Sequence, residues 1–143
     1  MLAGMAFANA PVAAVHALAY PIGATFHVPH GLSNALVLTQ VPRFNLPEAE
    51  TLYADLAPII DPRTAGLSAG QRARLFADAI GDICRDCKVP SSLTDVGIKV
   101  GDLTKLAEDA MKQTRLLVNN PREVHYDDAL AIYTEAYGNR AAA

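Results

Sequence analysis

Apolar residues recur at helical spacing along almost the whole chain, and no convincing alternation with polar residues appears over a strand's length. A side-chain pattern that repeats every 3.6 residues presents its apolar face to one side only when the backbone is helical. The pattern therefore restricts the 143 residues to an all-α fold. We expect a single helical domain of about six or seven helices, without an interior boundary. With 51% hydrophobic and 19% charged residues the chain can bury a substantial core.

No Asp, Glu, Lys or Arg precedes Arg43. So long an uncharged stretch invites comparison with a membrane anchor or a signal peptide, and Ala8-Asn9-Ala10 even resembles a cleavage site. A basic leader region is lacking. Asn9, Pro11, His16, Tyr20, Pro21, His27 and His30 also interrupt any apolar span of ~20 residues, the length a bilayer requires. A buried segment carrying a polar site explains the stretch better. The formal charge of −3, from 12 basic and 15 acidic residues, leaves no basic footprint for nucleic acid. Neither a membrane nor a nucleic-acid partner is expected.

The two cysteines, Cys84 and Cys87, are too few for a disulfide-stapled secreted domain, and no second ligand pair accompanies them for zinc. They read as free thiols in a reducing compartment, buried on the apolar side of one helix with Leu75, Phe76, Ala79, Ile80 and Ile83.

Along the chain, Leu2 to Ala10 reads as the end of a helix. Pro11 stands near the start of the next, which Pro21 and Gly23 should terminate. Ala24 to Val28 is a loop, and Pro29-His30-Gly31 opens a helix reaching about Val41. Pro42 and Pro47 mark a turn around Arg43-Phe44-Asn45. A shorter helix follows to Ala57, with Leu52, Tyr53 and Leu56 inward. Ser68 with Gln71 forms a capping box for the cysteine helix. Asp102 can cap a helix through Met111, and Asn119-Asn120-Pro121-Arg122 is a turn before a last helix from Tyr126 to Tyr137. The terminal alanines are the sole low-complexity run.

The four histidines are His16, His27, His30 and His125. His16 sits mid-helix among Val15, Ala17, Leu18 and Ala19, where a buried imidazole needs partners for both ring nitrogens. A loop between His16 and His30 could fold back and bring the rings together, and two neutral imidazoles are good ligands for zinc, iron or nickel. From spacing alone, however, a helical histidine is more often a satisfied core residue than a ligand. Two imidazoles also fall short of the three protein ligands a metal site commonly has. His125 reads as a surface residue.

Three runs give these histidines a context. They are Gly4-Met5-Ala6-Phe7-Ala8-Asn9-Ala10, Val15-His16-Ala17-Leu18-Ala19-Tyr20-Pro21-Ile22-Gly23, and Val28-Pro29-His30-Gly31-Leu32-Ser33-Asn34-Ala35. Together they closely resemble the C-terminal signature of the iron-containing alcohol dehydrogenases. The resemblance continues through Leu38 with Arg43-Phe44-Asn45, Val89-Pro90, Gly97-Ile98, Asp102-Leu103 and Asn119-Asn120-Pro121-Arg122, covering essentially the whole chain.

The resemblance implies the helical, metal-holding half of a two-domain enzyme of dehydroquinate-synthase-like architecture. The N-terminal α/β domain that binds NAD or NADP is absent from this chain. The metal, Fe2+ or Zn2+, would be held by one Asp and three His, and His16 and His30 match the last two of those ligands. The Asp and the first His belong to a helix upstream. The implied activity is hydride transfer between an alcohol or aldehyde and NAD(P), in a cytoplasmic homo-oligomer, a dimer in the parent enzyme. Tyr20 and His27 are candidates for the substrate pocket. No other catalytic residue is assigned, and no cofactor-binding residue is expected in this chain.

Three positions depart from the pattern. Tyr20 stands where several relatives carry a further His, Thr39 replaces a frequent Pro, and His125 takes a position usually held by a Ser or Thr cap. Met1 falls inside a helical pattern, which suggests an excised or truncated stretch, inactive alone. The alternatives are a maleylacetate-reductase-like sister enzyme, or a non-catalytic helical fragment that binds metal weakly or binds a partner protein.

Overall fold

The computed structural model describes residues 1–138, so the terminal alanines lie outside the described residues. Among the described residues there is no strand, and the α-helices number eight rather than six or seven. They are α1 (Leu2–Asn9), α2 (Ala14–Phe26), α3 (His30–Leu38), α4 (Gln40–Ile60), α5 (Ala69–Asp86), α6 (Leu103–Met111), the single turn α7 (Thr114–Leu117) and α8 (Tyr126–Gly138). Short 3-10 turns at Pro62–Gly66, Leu93–Val96 and Val100–Asp102 connect them.

The prolines do not divide the chain as expected. Pro21 lies inside α2, which runs on to Phe26. An interior proline removes one backbone hydrogen bond and costs on the order of 3 kcal/mol. α2 offsets that cost by burial, because Ala14, Ala17, Leu18, Ala19, Pro21 and Ile22 are all enclosed. Pro21 deprives the Ala17 carbonyl of its helical donor. At the next carbonyl, Leu18, the buried Tyr133 hydroxyl donates a hydrogen bond at 2.6 Å. Gly23, expected to stop the helix, has another use. A Cβ there would meet the Val28 carbonyl oxygen at 3.3 Å and Ser33 Oγ at 3.4 Å, so glycine lets the start of α3 pass close by.

Likewise Pro42 and Pro47 lie within α4 rather than at a turn. Pro42 falls in the first turn, where its missing N–H has no helical acceptor to lose. Ala10 to Ala13 are not helical, so α2 begins later than Pro11 suggested.

The core forms where α2, α3, α6 and α8 meet. Leu18, Ile22, Leu36, Val37, Leu93, Leu103, Leu106, Ile132 and Tyr133 are buried there. α4 and α5 pack along each other through small residues: Ala49, Ala54 and Ala57 on α4, with Ala73, Ala77 and Gly81 on α5. A Cβ on Gly81 would meet Thr39 Cγ2 at 3.1 Å. This corrects the expected inward faces. Leu52, Leu56, Leu75 and Ile83 are exposed, flanking a seam that admits only small side chains. Cys84 is half-buried, and Cys87 is exposed at the C-cap of α5, so the pair is free but not enclosed. The Ser68–Gln71 capping box forms as expected. Asp102 does not cap α6 with its side chain, but accepts from the Lys99 N–H at 2.8 Å.

Two turn-like runs, distant in sequence, lock together. Asn45 and Asn120 exchange side-chain hydrogen bonds at 3.1 and 2.7 Å. Arg122 donates to the Phe44 carbonyl at 2.8 Å, and its guanidinium carbon lies 4.0 Å from the centroid of the Phe44 ring. This joins the start of α4 to the segment preceding α8.

Among the described residues, no helix is long and apolar enough to cross a membrane.

Candidate metal centre

His16 lies in the first turn of α2, and Tyr20 follows one turn later on the same face. At the far end of α2 His27 adopts a left-handed conformation, φ 55° and ψ 27°, which ends the helix and reverses the chain. Val28 and Pro29 then lead into α3. The Pro29 carbonyl accepts the first helical bond, from Ser33 N at 2.9 Å. The Ser33 hydroxyl, fully buried, lies 3.2 Å from the carbonyl oxygens of both Val28 and Pro29. These contacts pin the start of α3 and thereby place His30, its first residue.

The turn brings His30 back beside His16. Their ring centroids lie 5.2 Å apart with planes tilted by 54°. The Tyr20 ring completes a triangle, 6.3 Å from His16 and 5.7 Å from His30. Burial, and secondarily the neighbouring His30, pull the His16 pKa below its ordinary value. His16 is therefore held neutral near pH 7, with a ring lone pair available to a ligand. Two facing imidazoles suit a divalent ion of intermediate softness. They supply part of a ligand set. Among the described residues no group of three or more His, Cys, Asp or Glu could hold a metal.

His27 is exposed and makes no ring contact with this cluster among those the structure records. His125 is exposed at the start of α8, where its backbone N–H donates to Asp128 Oδ2 at 2.9 Å. The Asp128 carboxylate thus satisfies the N–H of His125 itself, the reciprocal half of a capping box whose hydroxyl half a Ser or Thr at this position would supply.

The sequence reading missed one neighbour. Asn34, one turn beyond His30 on α3, has its amide nitrogen 3.1 Å from His30 Nε2. The four-residue spacing at the start of a helix was the available signal, since such pairs share a face.

The model of the C-terminal region of the Fe-containing alcohol dehydrogenase family matches residues 1–137. The chain is 36% identical over 137 residues to a 1,3-propanediol dehydrogenase of Citrobacter freundii, covering 96% of this chain and 35% of that protein. To a lactaldehyde reductase of Escherichia coli K12 it is 32% identical, with 95% and 35% covered. The structure of an alcohol dehydrogenase from Oenococcus oeni superposes with a TM-score of 0.89 at 38% identity, over 96% of this chain and 36% of that one. The chain thus spans about a third of the length of these relatives. The matched family and the all-helical fold that carries His16 and His30 agree: this chain belongs to the Fe-containing alcohol dehydrogenase family, whose C-terminal domain it represents.

Proposed function

We propose that this chain is the metal-holding part of an oxidoreductase that moves a hydride between a small alcohol or aldehyde and NAD or NADP, with His16 and His30 as two ligands of the ion. The observation that carries this reading is the convergence of the two imidazoles, 5.2 Å between centroids, from separate helices. A bound Fe2+ or Zn2+ would supply Lewis-acid polarisation of the alcohol or carbonyl oxygen, and NAD(P) the hydride acceptor or donor.

The chain's own residues prepare that chemistry. α2 fixes the direction of His16, and burial favours the unprotonated form of its imidazole. Ala17 and Ala19, both fully buried, seat the helix that carries the ring in the apolar interior. Tyr20 is proposed to line the substrate pocket beside the two imidazoles, and His27 its outer edge. The relatives named for 1,3-propanediol and lactaldehyde suggest a short-chain alcohol or aldehyde as substrate. The remaining ion ligands and the dinucleotide site would lie in sequence beyond these residues. The whole enzyme is proposed to be a cytoplasmic homo-oligomer.

Equilibrium dialysis of the 143-residue chain against Zn2+ tests the reading, coupled to an assay with 1,3-propanediol and NAD or NADP. We expect one weakly held ion, lost when either histidine is replaced by Ala, and no turnover by the chain alone. Zinc retention unchanged in His16→Ala and His30→Ala would exclude these residues as ligands.

A further inference from the structure

Asn34 holds His30 by two contacts at once. Its amide nitrogen lies 3.1 Å from His30 Nε2 and 3.1 Å from the His30 backbone carbonyl oxygen. That carbonyl can only accept, so it fixes which end of the amide faces His30: the nitrogen. One N–H is directed to the carbonyl, which leaves the other for Nε2. An Nε2 that receives a donor must carry the ring's lone pair, and the proton of a neutral imidazole then sits on Nδ1. The other end of the same amide is left unserved: Asn34 Oδ1 is buried with no hydrogen-bond partner among the described residues. Both donors of the amide are thus on His30.

From this geometry we infer that Asn34 is a positioning residue that locks the neutral His30 ring in its Nδ1–H tautomer, with the Nε2 lone pair oriented before any ion arrives. An unconstrained imidazole in water favours the opposite, Nε2–H tautomer, so the amide works against the ring's own preference. The consequence for metal binding rests on the reading of His30 as a ligand. For His30 to serve as a ligand through Nε2, the Asn34 amide nitrogen, 3.1 Å away, would have to give up that contact, with the Nδ1–H tautomer already in place.

The test is histidine-labelled 15N NMR of the 143-residue chain at a pH above the imidazole titrations, where two-bond 1H–15N couplings distinguish the tautomers. The wild-type chain should show His30 as Nδ1–H. Asn34→Ala should move it toward Nε2–H. Asn34→Asp, whose carboxylate can only accept, should do so more completely, with circular dichroism reporting that the helices persist. A Zn2+ titration of the same wild-type sample, followed by the His16 and His30 ring resonances, tests the ligand reading separately. A wild-type His30 already in the Nε2–H form, or a tautomer unmoved in both variants, would overturn the inference. If the tautomer shifts as expected but zinc perturbs neither His16 nor His30 in the wild-type chain, the positioning role stands and the ligand reading of His30 fails.

Discussion

The imidazoles of His16 and His30 face each other at 5.2 Å although one rises from the first turn of α2 and the other from the first residue of α3. What sets this distance is the reversal at His27 and the close passage of α3 over Gly23. A Cβ at Gly23 would press on the Val28 carbonyl and on Ser33 Oγ, the groups that pin the start of α3.

Gly23→Val should therefore separate the rings as well as loosen the fold. Overpacking of this kind costs about 1–3 kcal/mol. Urea denaturation should show that loss, and ring-to-ring nuclear Overhauser contacts between His16 and His30 should weaken. A variant of undiminished stability with the contacts intact would show that the close passage is not needed.

The depressed pKa of His16 has a consequence for stability. In the folded chain His16 takes up a proton less readily than in the unfolded chain, where its value returns to the ordinary 6.5. Between those two values the unfolded state binds more protons, so stability rises with pH across that window and falls as the pH drops below about 6.5. The slope of the urea midpoint with pH should be shallower in His16→Asn than in the wild type. Equal slopes would show that His16 is not held neutral by the fold.

The Asn45–Asn120 pair should couple the start of α4 to the segment before α8. Asn45 is buried, and removal of Asn120 leaves its side chain short of partners. Either single replacement by Ala should cost about 1–3 kcal/mol. The double replacement should cost less than the sum, by a coupling of about 0.5–3 kcal/mol. Additive losses in a double-mutant cycle would mean that the two amides do not act as a pair.

The cysteines should differ in reactivity. Cys87 is exposed, whereas Cys84 is half-buried and its thiol pKa is raised, first by burial and then by Cys87. Because the thiolate is the nucleophile, iodoacetamide should label Cys87 well before Cys84 at pH 8. Mass spectrometry of timed digests reads the order, and faster labelling of Cys84 would contradict the placement.

Much of this architecture was legible because periodicity and caps are local. The Ser68–Gln71 box, the α3 start at Pro29-His30 and the last helix from Tyr126 each follow from residues within a turn of one another. The prolines misled because their cost is also local, while what offsets it is tertiary. Pro21 is carried by the burial of α2 among residues far along the chain, including Tyr133. The inward face of α5 was misread for a related reason. Close helix packing selects Ala73, Ala77 and Gly81, and hydrophobic spacing alone points to the larger Leu75 and Ile83. At the site, the resemblance singled out His16 and His30, but the contact between Asn34 and His30 required knowing that α3 starts at His30. The lock between Asn45 and Asn120 pairs two motifs read separately as turns.

The central claim is that His16 and His30 act together on one ion, and His27 and His125 are internal controls within the same chain. The most direct measurement is a Zn2+ titration of the histidine-labelled chain followed by the ring 15N resonances. The account predicts that His16 and His30 shift together along one binding curve while His27 and His125 stay in place, and that His16→Ala abolishes the shift at His30. Independent curves for the two rings, or an undisturbed His30 shift in His16→Ala, would contradict it.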